Sequence, residues 1–386
     1  MLIFRVFFLV VIFCVFFLIT KSVSAAENPL AVPNNKIGIH ILDVSELQQA
    51  AQLVNSNGGA WGYVTIPIQV GDTNRTKWQQ FMDDCKKNQV IPILRLATGD
   101  DTTDNKVWRK PDLYDIINYA NFLNSLDWPT KNRYVIVFNE VNRGDEWGGS
   151  ADAAEYAKIL SFADTVFKSA NPDFFIISAG LDNAAPDQGT TYINEYTYLT
   201  AMNQAVPGIF NQVDGISSHS YPNPGFAQPP DATSLTGVGS FIHERTLIAS
   251  MSNKTLPVFI TETGWSTQSV NDTLAAQYYN TAFTTIWNDP DIVAVTPFLL
   301  QASTSPFDQF AFISASGTKS KEYQYIYTLQ KVKGVPSFPT HVLADTTQKI
   351  TNNNVLVNDM SDYKPPQSSF SITSAVSSAF NFFIHK

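Results

Sequence analysis

Three segments in residues 90–140 decide the fold: "VIPILRLA" (90–97), "KPDLYDIINYANFLNSL" (110–126) and "RYVIVFNE" (133–140). The first and last are short apolar runs rich in Val and Ile, the pattern of strands buried on both faces. Between them Leu113, Ile116, Ile117, Ala120 and Leu123 recur at helical spacing, and Pro111 stands near the first turn, where its missing N–H costs nothing. Strand, helix, strand in that order is a parallel pair joined by a crossover.

The same unit recurs along the chain. Candidate strands lie at 36–42, 61–68, 90–97, 133–140, 174–180, 213–220, 257–262 and 293–300. After the first, "DVSELQQAAQLVNSNGG" (43–59) sets Leu47, Ala50, Ala51 and Val54 on one helical face, with Asp43 or Ser45 to cap the start and Gly58 to end it. After the fourth, residues 150–173 supply a longer helix. Eight such units over about 265 residues predict an α/β fold, a (β/α)8 TIM barrel, which typically takes about 250. The rival is an open doubly wound sheet, but no glycine-rich phosphate-binding loop follows the early strands.

The ends read differently. Arg5, an apolar run from Val6 to Ile19, Lys21 and the small residues "SVSAA" follow the plan of a secretory signal, and the run also approaches the length of a membrane anchor. Residues 1–26 are therefore expected to be a signal peptide or an anchor, with a possible membrane tether through residues 5–20. The protein is then secreted or otherwise extracytoplasmic. Residues 27–334 are expected to form the barrel domain. Residues 335–386, rich in Ser, Thr, Asn and Pro, are a tail or a small appendage.

The whole chain has 25 basic and 34 acidic residues; without Arg5 and Lys21 the balance becomes −11. That argues against nucleic acid as a partner. Cys14 falls in the leader, so Cys85 would be alone and could form no internal disulfide. The five histidines include no pair at metal-ligand spacing, and no metal or organic cofactor is expected.

Two strands end in a carboxylate. "VIVFNE" delivers Asn139 and Glu140, and "PVFITETGW" (257–265) delivers Glu262. An acid beside buried neighbours is costly unless it is paired or hydrogen-bonded. In a barrel, however, the carboxyl ends of the strands converge on one face, so acids on two strands can meet across a pocket. Paired carboxylates serve glycoside hydrolysis, one as proton donor and one as nucleophile.

With "FNE" closing the fourth strand and "ITETGW" the seventh, the sequence resembles the clan A glycoside hydrolases over residues 36 to 330. The resemblance implies a retaining (β/α)8 glycosidase cleaving a β-glycosidic bond in an oligo- or polysaccharide. Glu140 would be the acid/base, Glu262 the nucleophile and Asn139 a donor to the sugar 2-hydroxyl. Val141 follows Asn-Glu where many members have Pro. A surface carbohydrate-binding barrel without catalysis, or a transglycosylase, are the alternatives.

Other residues complete the expected site. In "SSHSYPNP" His219 and Tyr221 alternate onto one face, and a phenol donating to Glu262 would favour its ionised form; each could equally be a packed structural residue. Arg95 in "PILRLAT" could pair with Glu262 or make a structural ion pair inside the barrel. Trp265 and Trp147, in the loops after the two motifs, are expected to stack on sugar faces.

Overall fold

The structure is a computed structural model that describes residues 26–99 and 107–339. The expected leader, and the tail beyond residue 339, lie outside the described residues. Eight parallel strands, β1 (Gly38–His40), β2 (Gly62–Gln69), β3 (Val90–Ala97), β4 (Arg133–Val137), β5 (Phe174–Ser178), β6 (Gly215–His219), β7 (Val258–Glu262) and β8 (Ile292–Val295), hydrogen-bond in sequence order. A parallel bridge from Ile37 to Val295 brings the last strand back to the first. The fold is a (β/α)8 barrel.

Each strand is followed by a helix: α1 (Leu47–Val54), α2 (Arg75–Lys87), α3 (Leu113–Asn124), α4 (Ala153–Ala170), α5 (Glu195–Ala205), α6 (Ser240–Ala249), α7 (Asp272–Thr284) and α8 (Lys321–Thr328). The alternation of β4 sorts its side chains between two cores. Tyr134 and Ile136 join Tyr63, Ile93, Phe175, Ile177 and Phe259 inside the barrel, whereas Val135 and Val137 pack outward in the layer shared with the helices. Inside, the Tyr134, Phe175 and Phe259 rings lie 5.0–5.7 Å apart and fill the barrel below its carboxyl end.

Helix α1 buries Leu47, Ala50, Ala51 and Val54, the face read from the sequence. Asp43 caps the short turn before it, with Glu46 bonding back to the Asp43 N–H. In α3, Ile116, Ala120 and Leu123 are buried, but Leu113 is 50% exposed. It is the first residue after the Asp112 cap, at the exposed start of the helix. Tyr119 anchors the helix instead, its hydroxyl donating to carbonyls of Ile68 and Ala97 at the ends of β2 and β3.

The expected boundary at residue 334 is not a break in packing. The Val335 N–H reaches the Pro33 carbonyl, the Ser337 carbonyl accepts from Lys131, and Phe338 lies edge-on to Trp61. All of this is at the amino-terminal pole. A cavity of about 330 Å³ lies there, lined by Trp61, Tyr63, Ile91 and Tyr134, at the opposite end of the barrel from the paired carboxylates.

Candidate active site

β4 stops at Val137, three residues short of Glu140, because the backbone turns. Phe138 has φ +72° and Glu140 φ +36°, both in the left-handed region that side chains seldom enter. Strict alternation would put Phe138 on the inner face with Ile136. The turn sends its ring outward against Trp147, and Glu140 faces the barrel mouth. Such backbone costs on the order of 1–3 kcal/mol per residue and survives where the surroundings hold it. Here the Glu140 N–H is held by the Gly180 carbonyl at 2.9 Å.

Glu262, at the end of β7, lies across the mouth. One oxygen of Glu140, one of Glu262 and the Nδ1 of His219 all fall within 4.8 Å of one another. His219 Nδ1 is 3.1 Å from Glu140 Oε1 and 3.8 Å from Glu262 Oε2. The Tyr221 hydroxyl donates to Glu262 Oε2 at 3.1 Å, and an Arg95 Nη lies 3.8 Å from Oε1. Gly180 makes room for this arrangement, since a Cβ there would stand 2.2 Å from the His219 ring.

The charges shape one another. Burial alone would push the Glu262 carboxyl up, but His219, Arg95 and the Tyr221 hydroxyl outweigh it and hold the group below the ordinary carboxylate value. Burial likewise disfavours a charged His219, yet Glu262 and Glu140 carry its pKa above the ordinary value. These three groups are close enough to hold a cation. Arg95 and Arg143, set against the two carboxylates, already supply positive charge there.

No protein-family model matches the chain, and no curated protein matches it by sequence. Solved structures do match. A family 39 glycoside hydrolase from Bacteroides cellulosilyticus WH2 superposes with TM-score 0.55 at 15% identity, over 78% of this chain and 64% of that one. A monomeric β-xylosidase from Caulobacter crescentus CB15 gives 0.54 at 16%, over 78% and 69%. A GH5_18 protein from Bifidobacterium longum subsp. infantis gives 0.54 at 9%, over 76% and 78%. What is shared at these identities is the barrel. This chain spans less than two thirds of the length of the Bacteroides protein.

The structure thus gathers Glu140, Glu262, His219, Tyr221 and Arg95 at one mouth. Asn139 is beside them, half-buried, its Oδ1 without a partner among the described residues. The two tryptophans are elsewhere. Trp265 is 2% exposed, edge-on to Tyr279 at 4.9 Å, with its N–H on the Gln228 carbonyl. Trp147 is 1% exposed, packed between Phe138 and Tyr156 with its N–H on Glu155. Neither presents a face to a sugar, so the stacking role expected of both is corrected: their rings close the outer core and their polar edges are satisfied there. Trp265→Ala should accordingly behave as a core truncation, destabilising the fold by about 3–5 kcal/mol in denaturant titration, without selectively weakening glycan binding in the folded protein.

Sequence reasoning missed several site neighbours. Arg143 is 2% exposed; it bonds Asp145 through Nε at 3.1 Å and Nη2 at 2.7 Å, and its Nη1 lies 3.5 Å from both Glu140 and Asp182. Glu146 follows it, its carboxyl pushed up to about 8 by burial and then by the Asp145 charge. His40, at the end of β1, is fully buried, and neither ring nitrogen has a partner among the described residues. Burial holds it neutral, with a pKa lowered to about 3. Its ring stands 5.2 Å from that of Phe298, just past β8. The signal for His40 was present: a polar residue in the apolar run "KIGIHIL", the same irregularity that singled out Arg95.

Proposed function

We propose that the protein is a retaining glycoside hydrolase that cleaves a β-glycosidic bond in an oligo- or polysaccharide. The observation that carries this reading is the pair of buried carboxylates, one in the turn just past β4 and one at the end of β7, with oxygens within 4.8 Å and unequal surroundings. A separation of about 5–5.5 Å suits direct attack by one carboxylate, whereas inversion needs about 6.5–9.5 Å to admit a water. The barrel shared with the Bacteroides and Caulobacter proteins agrees with it.

Glu262, held ionised, attacks the anomeric carbon while Glu140 gives its proton to the departing glycosidic oxygen. The sugar is left as an ester on Glu262. A water then attacks the same carbon, its proton passes to Glu140, and the C–O bond to Glu262 breaks, so the configuration is restored. Tyr221 and Arg95 stabilise the carboxylate that is regenerated. His219 bridges the two acids and fixes their separation. Asn139, half-buried beside the pair, is the side chain that meets the sugar 2-hydroxyl in this reading. The reading includes export, with residues 1–26 as signal or anchor, so the glycan is met outside the cytoplasm.

The test is a fluorosugar inactivator, which forms the glycosyl ester but releases it slowly. Peptide mass mapping should find one added glycosyl group, on Glu262. Stable glycan binding with no covalent label from inactivators of the glucose, xylose and mannose series would favour a binding protein and overturn the proposal.

A further inference from the structure

The loops that follow β4 and β5 are bound into one unit beside Glu140. Asn142, fully buried, holds both. Its side-chain N–H groups bond the carbonyls of Asp182 and Ile193 at 3.0 Å, and its Oδ1 accepts from the Asp182 N–H at 3.0 Å. Its backbone carbonyl accepts from the Ile193 N–H at 2.9 Å, and the Arg143 N–H bonds the Glu140 carbonyl at 2.9 Å, which closes the turn that aims Glu140 at the mouth.

The Arg143 side chain is braced within this unit. Asp145 takes Nε at 3.1 Å and Nη2 at 2.7 Å on its two separate oxygens, and two parallel bonds of that kind fix the plane of a guanidinium. The Tyr192 ring lies 5.8 Å from the guanidinium carbon. Nη1 is then placed between two acids, 3.5 Å from Glu140 Oε2 and 3.5 Å from Asp182 Oδ2. Asp182 is itself held, its Oδ1 accepting from the Ala184 N–H at 2.9 Å.

Glu140 is therefore met at both oxygens: His219 Nδ1 stands 3.1 Å from Oε1, and Arg143 faces Oε2. One contact leaves a carboxyl able to swing about it, whereas two on different oxygens also set its plane. A general acid needs that, because proton transfer depends on reach and direction. An arginine beside an acid would ordinarily draw it toward the charged form. Here Asp145 and Asp182 set two carboxyl groups against one guanidinium before Glu140 is counted.

We propose that Arg143 is a positioning residue for the proton transfer: braced by Asp145 and Asp182, it sets the plane of the Glu140 carboxyl at the oxygen that His219 does not touch. This rests on the reading of Glu140 as the acid/base.

Lysine would keep the charge but offers one ammonium in place of a planar fork, so it cannot hold both oxygens of Asp145 and still reach Glu140. The probes are phenyl β-glycosides of the glucose, xylose and mannose series, whose leaving group profits from the proton but departs measurably without it. In Arg143→Lys, kcat/KM should fall on the order of 10²-fold, the scale of a 1 Å misplacement at a reacting centre. Introduced into Glu140→Gln, the same change should cost less than about twofold, since the proton it directs is already gone. Asp145→Asn sets an amide against the fork and should show the same dependence on background with a smaller loss; it serves if Arg143→Lys folds poorly. An equal loss in both backgrounds would make Arg143 a structural residue and overturn the proposal, as would no loss in either. Unaltered hydrolysis in Glu140→Gln is the separate outcome that overturns the proposed role of Glu140, and this inference with it.

Discussion

Glu262→Ala is expected to lower turnover by about 10⁴-fold or more, the scale seen when a covalent nucleophile is removed. No neighbour can replace it. Tyr221 is neutral, with its pKa raised by burial and by Glu262 itself, and the other carboxylate, Glu140, is engaged by His219 at 3.1 Å. The fold should persist, because His219 keeps Glu140 as partner and Arg95 met Glu262 only at 3.8 Å. The Tyr221 hydroxyl loses its acceptor, at a cost of about 1–3 kcal/mol, so circular dichroism and Tm should accompany the kinetics. The cavity left by the side chain gives a sharper readout. Azide can enter it and attack the anomeric carbon directly, restoring cleavage and yielding the glycosyl azide of inverted configuration. Activity retained in the folded variant would sink the assignment.

The barrel was legible because its signal is local. Eight apolar runs separated by helical spacing need no knowledge of what touches what, and each observed strand lies within the run that predicted it, apart from Gln69 at the end of β2 and Ile292 at the start of β8. Glu140 and Glu262 were legible for a related reason: in a parallel barrel, the end of a strand fixes which pole a residue occupies. Side-chain direction in the following loop was not. Trp147 and Trp265 follow the two acids closely in sequence, but the backbone turn at Phe138 and the ring cluster of Tyr279 and Trp287 draw both indoles into the outer core. Arg143 carries no mark as a site residue in "NRGDEWGG"; its role comes from meeting Asp145, Asp182 and Glu140 at once. Groups that act through tertiary pairing leave no periodicity to read.

Glu140→Gln should separate the two steps of the reaction. The amide keeps the shape of the side chain and a carbonyl oxygen for His219 Nδ1–H, so the strained turn at residue 140 and its hold on Gly180 are retained. What is lost is the proton. For a glycoside with a poor leaving group, turnover should fall about 10²- to 10⁴-fold, the usual contribution of a positioned acid or base. For an activated aryl glycoside the leaving phenolate departs unaided, so the first step should stay fast and the ester on Glu262 should accumulate. The kinetic sign is a burst of phenol followed by slow turnover with a lowered KM. Azide now meets an intact ester on Glu262, and the glycosyl azide it forms should have retained configuration, opposite to that from Glu262→Ala. The opposed products assign the two carboxylates independently, because a merely structural defect at either residue would slow both substrates alike and give neither azide. If Glu140→Gln cleaves unactivated glycosides at the wild-type rate, the proton comes from another group, and Glu146, protonated near neutrality on the same loop, becomes the residue to replace next.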